Sequence, residues 1–228
     1  MSAQQLAASL ADARGRISAA AERSGRDPAA VTLVAVTKTH SAQVVQEAAS
    51  AGVREFGENR VQEALPKIAA IADWASRAGR QAPRWHLVGH LQRNKAKAAL
   101  EHFAILHSLD SVRLAEALNE RAEKPLDVFI EVNVAGEESK WGFAPAELDS
   151  ALKSLGRLSR LRPLGLMTVA PIAEDEVVRT VFRKLRRLGV ANGLSELSMG
   201  MSDDFEIAVE EGATCVRLGR VLFGERAT

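Results

Sequence analysis

A lysine follows a run of apolar residues near the start of the sequence. The stretch VTLVAVTK resembles a strand that is buried on both faces, and Lys38 ends it. Val34, Val36 and Lys38 alternate, so their side chains are expected to point to the same side. Partial removal from water lowers the pKa of a lysine and exposes the nucleophilic nitrogen that Schiff-base chemistry with an aldehyde needs. A lysine at a strand end also often only reaches solvent, so its position alone leaves both interpretations open.

Two glycine-containing stretches near the end of the sequence could bind an anion. SMGMSDD contains Ser198, Gly200 and Ser202 just before a predicted helix, and LGRVLFG contains Gly219. Free backbone N–H groups in such loops can hold a phosphate, and glycine lets the backbone approach it closely. Ser202 would also serve as an N-cap, with the following acidic residues complementing the helix dipole.

An arginine lies within the apolar segment CVRLG. Val216 and Leu218 share one face of this predicted strand, whereas Cys215 and Arg217 share the other. A guanidinium buried inside a strand needs a dedicated partner. A structural ion pair with Glu131 and a hydrogen bond to a ligand atom both remain possible partners.

Two histidines, His86 and His90, are four residues apart, but we predict no metal site. Gly89 breaks the helix that would align the two side chains, and no H-E-x-x-H pattern is present. The single cysteine, Cys215, excludes an internal disulfide and a zinc site built from cysteines.

Short apolar segments alternate with helical patterns along the chain, which predicts a parallel sheet with helices outside it. Eight units favour a (β/α)8 TIM barrel in the α/β class. An open doubly wound sheet is less favoured, because no G-x-G-x-x-G follows the first strand. We expect one domain over 1–228, with an N-terminal helix within 1–28 and the barrel in 29–228. The strands are predicted to begin near Val31, Val53, Arg84, Ala104, Asp127, Leu161, Glu196 and Thr214.

The chemically unusual residues follow the predicted strands, where the active sites of such barrels lie. Seven stretches at this end of the barrel predict a single pocket. They are the segment ending in Lys38, FGENR, HLVGHLQRNK, NVAGEESKWGF, GLMTVAP, LSMGMSDD and VRLGRVLFG.

The composition excludes some classes of partner. The chain has 228 residues, with 30 basic and 29 acidic side chains and a net charge of +1, so we predict neither nucleic acid nor an anionic membrane as partner. No apolar run approaches the roughly 20 residues of a membrane span, and the N-terminus has no signal-peptide pattern. We therefore expect a cytoplasmic protein.

Taken together, several blocks of the sequence resemble the pyridoxal phosphate homeostasis protein family (YggS/PROSC type). The resemblance runs from about Val31 to Arg226 and implies a barrel like the N-terminal domain of alanine racemase, with pyridoxal 5′-phosphate as cofactor. The blocks are VAVTK, FGENRVQE, WHLVGHLQRNK, HSLDS, VNVAGEESKWGF, LGLMTVAP and LSMGMSDDFEIAVEEGATCVRLGRVLFGER.

The same resemblance implies a role for particular residues. Lys38 is expected to form the internal aldimine, and Arg217 to face the pyridine nitrogen. Asn59 and Met167 are expected beside the ring. The phosphate is expected to contact the side chains or backbone of Ser198, Gly200, Met201, Gly219 and Arg220.

Four positions in three stretches depart from the family's commoner residues. Arg60 stands where a tyrosine is common after GEN, and GHLQRNK stands where GPLQSNK is also common. Arg220 occupies a place often taken by a small hydroxyl residue, which leaves backbone donors or Arg220 itself to contact the phosphate.

The resemblance implies a carrier that buffers pyridoxal phosphate and delivers it, with no catalytic residue. We expect a monomer whose partners are pyridoxal phosphate, other B6 vitamers and pyridoxal phosphate-dependent apoenzymes. An amino-acid racemase and a barrel aldolase with a Schiff-base lysine are the alternatives. Racemisation needs two acid–base groups on opposite faces of the cofactor. In alanine racemase the second is a tyrosine from a separate domain, and this sequence contains no tyrosine.

Overall fold

The structure is a computed structural model that describes residues 2–137 and 139–224. Glu138 and the C-terminal Glu225 and Arg226 of the sequence blocks lie outside the described residues. The strands are β1 Thr32–Val36, β2 Glu55–Glu58, β3 Arg84–Leu87, β4 Ile105–Leu109, β5 Leu126–Glu131, β6 Leu161–Met167, β7 Glu196–Ser198 and β8 Cys215–Leu218. The helices are α1 Ala3–Arg23, α2 Ala42–Ser50, α3 Val61–Arg77, α4 Ala96–His102, α5 Val112–Arg121, α6 Leu148–Leu155, α7 Asp175–Ala191, α8 Phe205–Glu210 and α9 Arg220–Phe223.

The eight strands form a closed parallel barrel in chain order. β8 pairs with β1, where Val34 lies opposite Arg217, so the sheet has no free edge. This confirms the predicted (β/α)8 barrel and excludes the open sheet. Each observed strand begins within two residues of its predicted start.

Alternate residues of the strands divide the core into two parts. Ala35, Phe56 and Val216 are completely buried and belong to the large cluster between the sheet and the helices. A smaller cluster contains Ile105 and Met167 together with Phe129. The remaining buried strand positions include several polar side chains, which carry the chemistry described below.

The N-terminal helix α1 packs against α8 and α9. Its buried stripe of Leu6, Leu10, Ala13 and Ile17 has the helical spacing predicted from the sequence. The guanidinium of Arg16 lies 4.7 Å from the ring centre of Phe205, which ties the helix to α8. None of the described helices is long and apolar enough to span a lipid bilayer.

The sequence predicts that Lys38 ends the first strand. In the structure it lies just beyond the end of β1. The strand stops at Val36, and Lys38 and Thr39 form a turn. Thr39 has a φ of 68°, a conformation that is uncommon for residues other than glycine. The turn redirects the chain, so strand parity does not determine where the lysine points.

Candidate functional site

A cavity of about 320 Å³ opens at the carboxyl ends of the strands. It is formed by segments that follow β1, β2, β3, β6, β7 and β8, as expected for the active-site end of a (β/α)8 barrel. Its volume lies at the lower end of the range for small-molecule pockets. The residues around it are Val36, Lys38, Thr39, His40, Asn59, Val88, Val169, Met201, Ser202, Asp203, Arg217, Gly219, Arg220 and Gly224.

Most of the predicted site residues meet at this cavity. Those that line it are Lys38, Asn59, Met201, Arg217, Gly219 and Arg220. Three others do not line it. Met167 is buried in the small interior cluster, Ser198 lies directly behind Arg217, and Gly200 accepts a hydrogen bond from the backbone of Arg217 over 3.0 Å.

A buried ion pair supports the turn that contains Lys38. The amine of Lys67, on α3, donates to a carboxylate oxygen of Glu58 over 2.6 Å and to the carbonyl oxygen of Thr37 over 2.7 Å. The hydroxyl of Thr37 donates to the same oxygen of Glu58 over 2.6 Å. Thr37 and Glu58 are fully buried, so these bonds fix the backbone immediately before Lys38.

The position of Asn59 depends on a close approach between two loops. A Cβ atom on Gly89 would lie 2.4 Å from the carbonyl oxygen of Asn59, which is closer than atoms can approach. Only glycine therefore allows the loop after β3 to pack on the loop after β2. Asn59 follows the last residue of β2 and does not begin a helix, because α3 starts at Val61.

The loop after β7 differs from the predicted helix start. α8 begins at Phe205 after Asp204, whose carboxylate makes no capping bond to the helix and instead accepts from the backbone N–H of Met201 in the preceding loop over 2.6 Å. The hydroxyl of Ser202 instead accepts from the backbone N–H of Val221 over 3.3 Å, so Ser202 is not the N-cap. This bond joins the two glycine-containing loops at one side of the cavity.

Two further contacts determine the shape of these loops. Gly200 has a φ of 93°, and a Cβ atom there would lie 2.6 Å from the Cβ of Ala208, so only glycine fits. The exposed guanidinium of Arg220 pairs with the carboxylate of Asp203, which links the same two loops a second time.

Arg217 extends from β8 to the cavity and is 5% exposed. One terminal nitrogen donates to the hydroxyl of Ser198 over 2.6 Å, and the other donates to the carbonyl oxygen of Thr168 over 3.0 Å. Both partners are neutral, and among the described residues Arg217 forms no ion pair with Glu131. Burial lowers the pKa of Arg217, an effect that negative charges around it oppose.

The two histidines considered as metal ligands lie in separate networks. His86 is buried in the barrel, whereas His90 bonds to Asp110 over 2.7 Å and stacks on Trp141 with ring centres 4.1 Å apart. Among the described residues, no group of three or more potential ligands could hold a metal ion.

The sequence analysis did not identify Lys67, which supports the turn at Lys38, or His107, which bonds to Ser198 behind Arg217. Lys67 lies on the buried face of α3, three residues after Ala64 and six after Val61. This helical spacing indicates that Lys67 is buried. His107 lies in β4, every residue of which is buried, and a histidine there needs partners. Neither pattern identifies the partner.

Comparisons with known proteins agree with this geometry. The family described as alanine racemase, N-terminal domain, matches residues 9–227. A Pseudomonas aeruginosa protein named pyridoxal phosphate homeostasis protein is 44% identical over 227 residues, covering 97% of this chain and 96% of that protein. The structure of PipY from Synechococcus elongatus with pyridoxal phosphate bound is 37% identical, with a TM-score of 0.81, covering 96% of this chain and all of PipY. Alanine racemase from Clostridium difficile shares the fold, with a TM-score of 0.71 at 14% identity over 99% of this chain and 58% of that enzyme.

Proposed function

Because this chain belongs to the pyridoxal phosphate homeostasis proteins, within the family of the alanine racemase N-terminal domain, we propose that it binds pyridoxal 5′-phosphate and takes part in its intracellular homeostasis. One observation carries the proposal. A lysine, a buried arginine and two joined glycine-containing loops line the same cavity at the barrel mouth. These groups match the aldehyde, the pyridine nitrogen and the phosphate of this cofactor.

Lys38 is the residue proposed to hold the aldehyde. A primary amine attacks an aldehyde carbon, and loss of water leaves a carbon–nitrogen double bond. Lys38 is half-buried at the cavity wall, which limits its solvation. The Lys67–Glu58–Thr37 contacts hold the preceding backbone, so the side chain of Lys38 extends from a fixed point of the main chain.

The phosphate is proposed to contact the loops that follow β7 and β8. Gly219 and Met201 line the cavity from these loops, and the bond between Val221 and Ser202 holds the loops together. Backbone N–H groups of such loops can bind the phosphate oxygens. The guanidinium of Arg220, which pairs with Asp203, belongs to the same loops and is proposed as a further phosphate contact.

Arg217 is proposed to face the pyridine nitrogen. A guanidinium has five N–H donors, and the contacts with Ser198 and Thr168 use two of them. A permanent cation disfavours protonation of that nitrogen, which makes the ring a weaker electron sink. Asn59 at the cavity wall and Met167 in the adjoining cluster are proposed to complete the surroundings of the ring.

A weak electron sink favours storage and delivery over catalysis, so we assign the chain a carrier role without catalytic residues. The open cavity gives other molecules access to the cofactor. In this proposal the chain is a single-domain cytoplasmic monomer that exchanges B6 vitamers and supplies pyridoxal phosphate-dependent apoenzymes.

The test is reduction of the cofactor-loaded protein with borohydride, followed by peptide mapping. We expect a visible absorbance band before reduction and a label on the peptide that contains Lys38 afterwards. Lys38→Ala should lose the band and the label while retaining weak, non-covalent binding through the phosphate loops.

Lys140→Ala is the matched control, because Lys140 is another lysine near the mouth and pairs with Glu137 over 2.6 Å. It should keep the band and the label. A label on Lys140 or Lys95 in the unmodified protein would show that the assignment of Lys38 is wrong.

A further inference from the structure

A chain of hydrogen bonds crosses the interior of the barrel behind Arg217. A carboxylate oxygen of Glu55 lies 2.6 Å from Nε2 of His86, and Nδ1 of His86 lies 2.8 Å from Nε2 of His107. Nδ1 of His107 lies 2.7 Å from the hydroxyl of Ser198, which receives the bond from Arg217. The chain therefore connects β2, β3, β4, β7 and β8.

The two ends of this chain lie in different surroundings. Arg217 lines the cavity at the carboxyl ends of the strands. Glu55 begins β2 at the opposite end of the barrel and lines a second cavity of about 480 Å³, beside α1. The three side chains between them, His86, His107 and Ser198, are at most 2% exposed. The chain thus joins a partly solvated carboxylate to the proposed cofactor site.

The chemistry of the end groups gives the chain a direction. A guanidinium can only donate and a carboxylate can only accept. Ser198, which accepts from Arg217, then donates to Nδ1 of His107. His107 donates from Nε2 to His86, and His86 donates from Nε2 to Glu55. This arrangement uses each donor and acceptor once and requires both histidines to be neutral.

The surroundings of His107 favour this arrangement. Complete burial, helped by the positive charge of Arg217, holds the pKa of His107 well below its usual value, so the ring stays neutral. Burial alone would raise the pKa of Glu55, but its contacts with His86 and Arg84 outweigh that effect and lower it. Glu55 therefore remains an acceptor.

In the reverse direction His86 would donate to His107, and His107 would donate to Ser198. This direction is less favourable because His86 would need hydrogens on both nitrogens to contact Glu55 and His107. His107 would then donate to Ser198, which already accepts from Arg217. Two donors would meet at one hydroxyl, and the hydroxyl would have to direct its own hydrogen away from the chain.

We propose that Glu55, His86, His107 and Ser198 are positioning residues that act as one oriented hydrogen-bond chain to hold Arg217 at the cavity. Each bond restrains the next donor, so a change at Glu55 reaches the guanidinium although the two residues are at opposite ends of the barrel. The chain itself follows from the geometry alone. Its effect on a bound pyridine ring rests on the proposed function.

The first test uses the cofactor-free, ¹⁵N-labelled protein at neutral pH. Two-bond ¹H–¹⁵N correlation spectra report which ring nitrogen of each histidine carries hydrogen. We expect His86 and His107 each to be neutral with hydrogen on Nε2. Hydrogen on Nδ1 of His107 in the unmodified protein would overturn the proposal without any variant.

The second test replaces the end group. In Glu55→Gln the amide can donate as well as accept, so His86 no longer has to donate from Nε2. We expect a mixture of tautomers at His107, which Glu55 does not touch. Glu196→Gln is the matched control, because Glu196 begins β7 at the same end of the barrel and lies outside the chain. Unchanged signals of His107 in Glu55→Gln would contradict the proposal.

The third test measures the absorbance maximum of bound pyridoxal phosphate. We expect a shift of the band in Glu55→Gln and none in Glu196→Gln. The same band in both variants would refute the effect of the chain on the cofactor. If the unmodified protein binds no pyridoxal phosphate, the proposed function fails. The histidine tautomers of the cofactor-free protein then still decide whether the oriented hydrogen-bond chain exists.

Discussion

Glu131, at the end of β5, should make the protein less stable as the pH rises towards neutrality. It lines a small cavity of about 190 Å³ together with Thr168 and Val169. Burial and then the negative charge of Asp110 raise its pKa from 4.5 to about 7, and Arg217 opposes the rise only partly. The folded protein therefore favours the protonated carboxyl group.

The size of the effect follows from that shift. A pKa of about 7 against 4.5 is a difference of about 2.5 units, which corresponds to about 3 kcal/mol at 1.36 kcal/mol per unit. Between pH 4.5 and pH 7 the folded state binds more protons at Glu131 than the unfolded state does. The free energy of unfolding therefore falls as the pH rises through this window, and the loss is complete above about pH 7.

Glu131→Gln removes this titration while keeping nearly the same shape. Urea unfolding of the cofactor-free protein from pH 4 to pH 8 should show similar stability for both proteins near pH 4. Above about pH 7 the variant should be more stable by about 3 kcal/mol. Glu123→Gln, an exposed carboxylate elsewhere, should follow the unmodified protein at every pH. A stability difference between Glu131→Gln and the unmodified protein that does not change with pH would refute the reasoning.

Two further predictions concern stability and activity. Lys67→Met should lower the free energy of unfolding by about 3–5 kcal/mol, because Glu58 would remain as a buried carboxylate without its cation. By contrast, Arg77→Ala should lower the free energy of unfolding by less than about 1 kcal/mol, because its pair with Asp73 is exposed. Equal losses of stability for the two variants in urea unfolding would contradict this distinction. The loaded protein should not racemise amino acids efficiently, because the sequence contains no tyrosine to act on the second face. Interconversion of L- and D-amino acids with α-deuteration in deuterated water, at an ordinary turnover of ~1–10³ per second, would restore the enzyme hypothesis.

Local patterns in the sequence were enough to predict the barrel and much of its mouth. Strand and helix periodicity reports which side of a segment faces the core, so eight alternating units predict the closed barrel. The same rule correctly placed Arg217 on the face opposite Val216 and Leu218, which pack beneath the helices. The resemblance supplied the cofactor and the residue roles, and those roles remain predictions.

The tertiary structure alone decided which side chains meet. His107 and Ser198 are 91 residues apart in sequence, and Lys67 reaches Thr37 across 30 residues. Periodicity can show that such polar residues are buried, but it carries no information on their partners. The sequence pattern also did not predict the turn at Thr39. A positive φ at a residue other than glycine is imposed by the surrounding structure, which local periodicity does not report. These partners are set by barrel closure, which brings distant strands together at hydrogen-bonding distance.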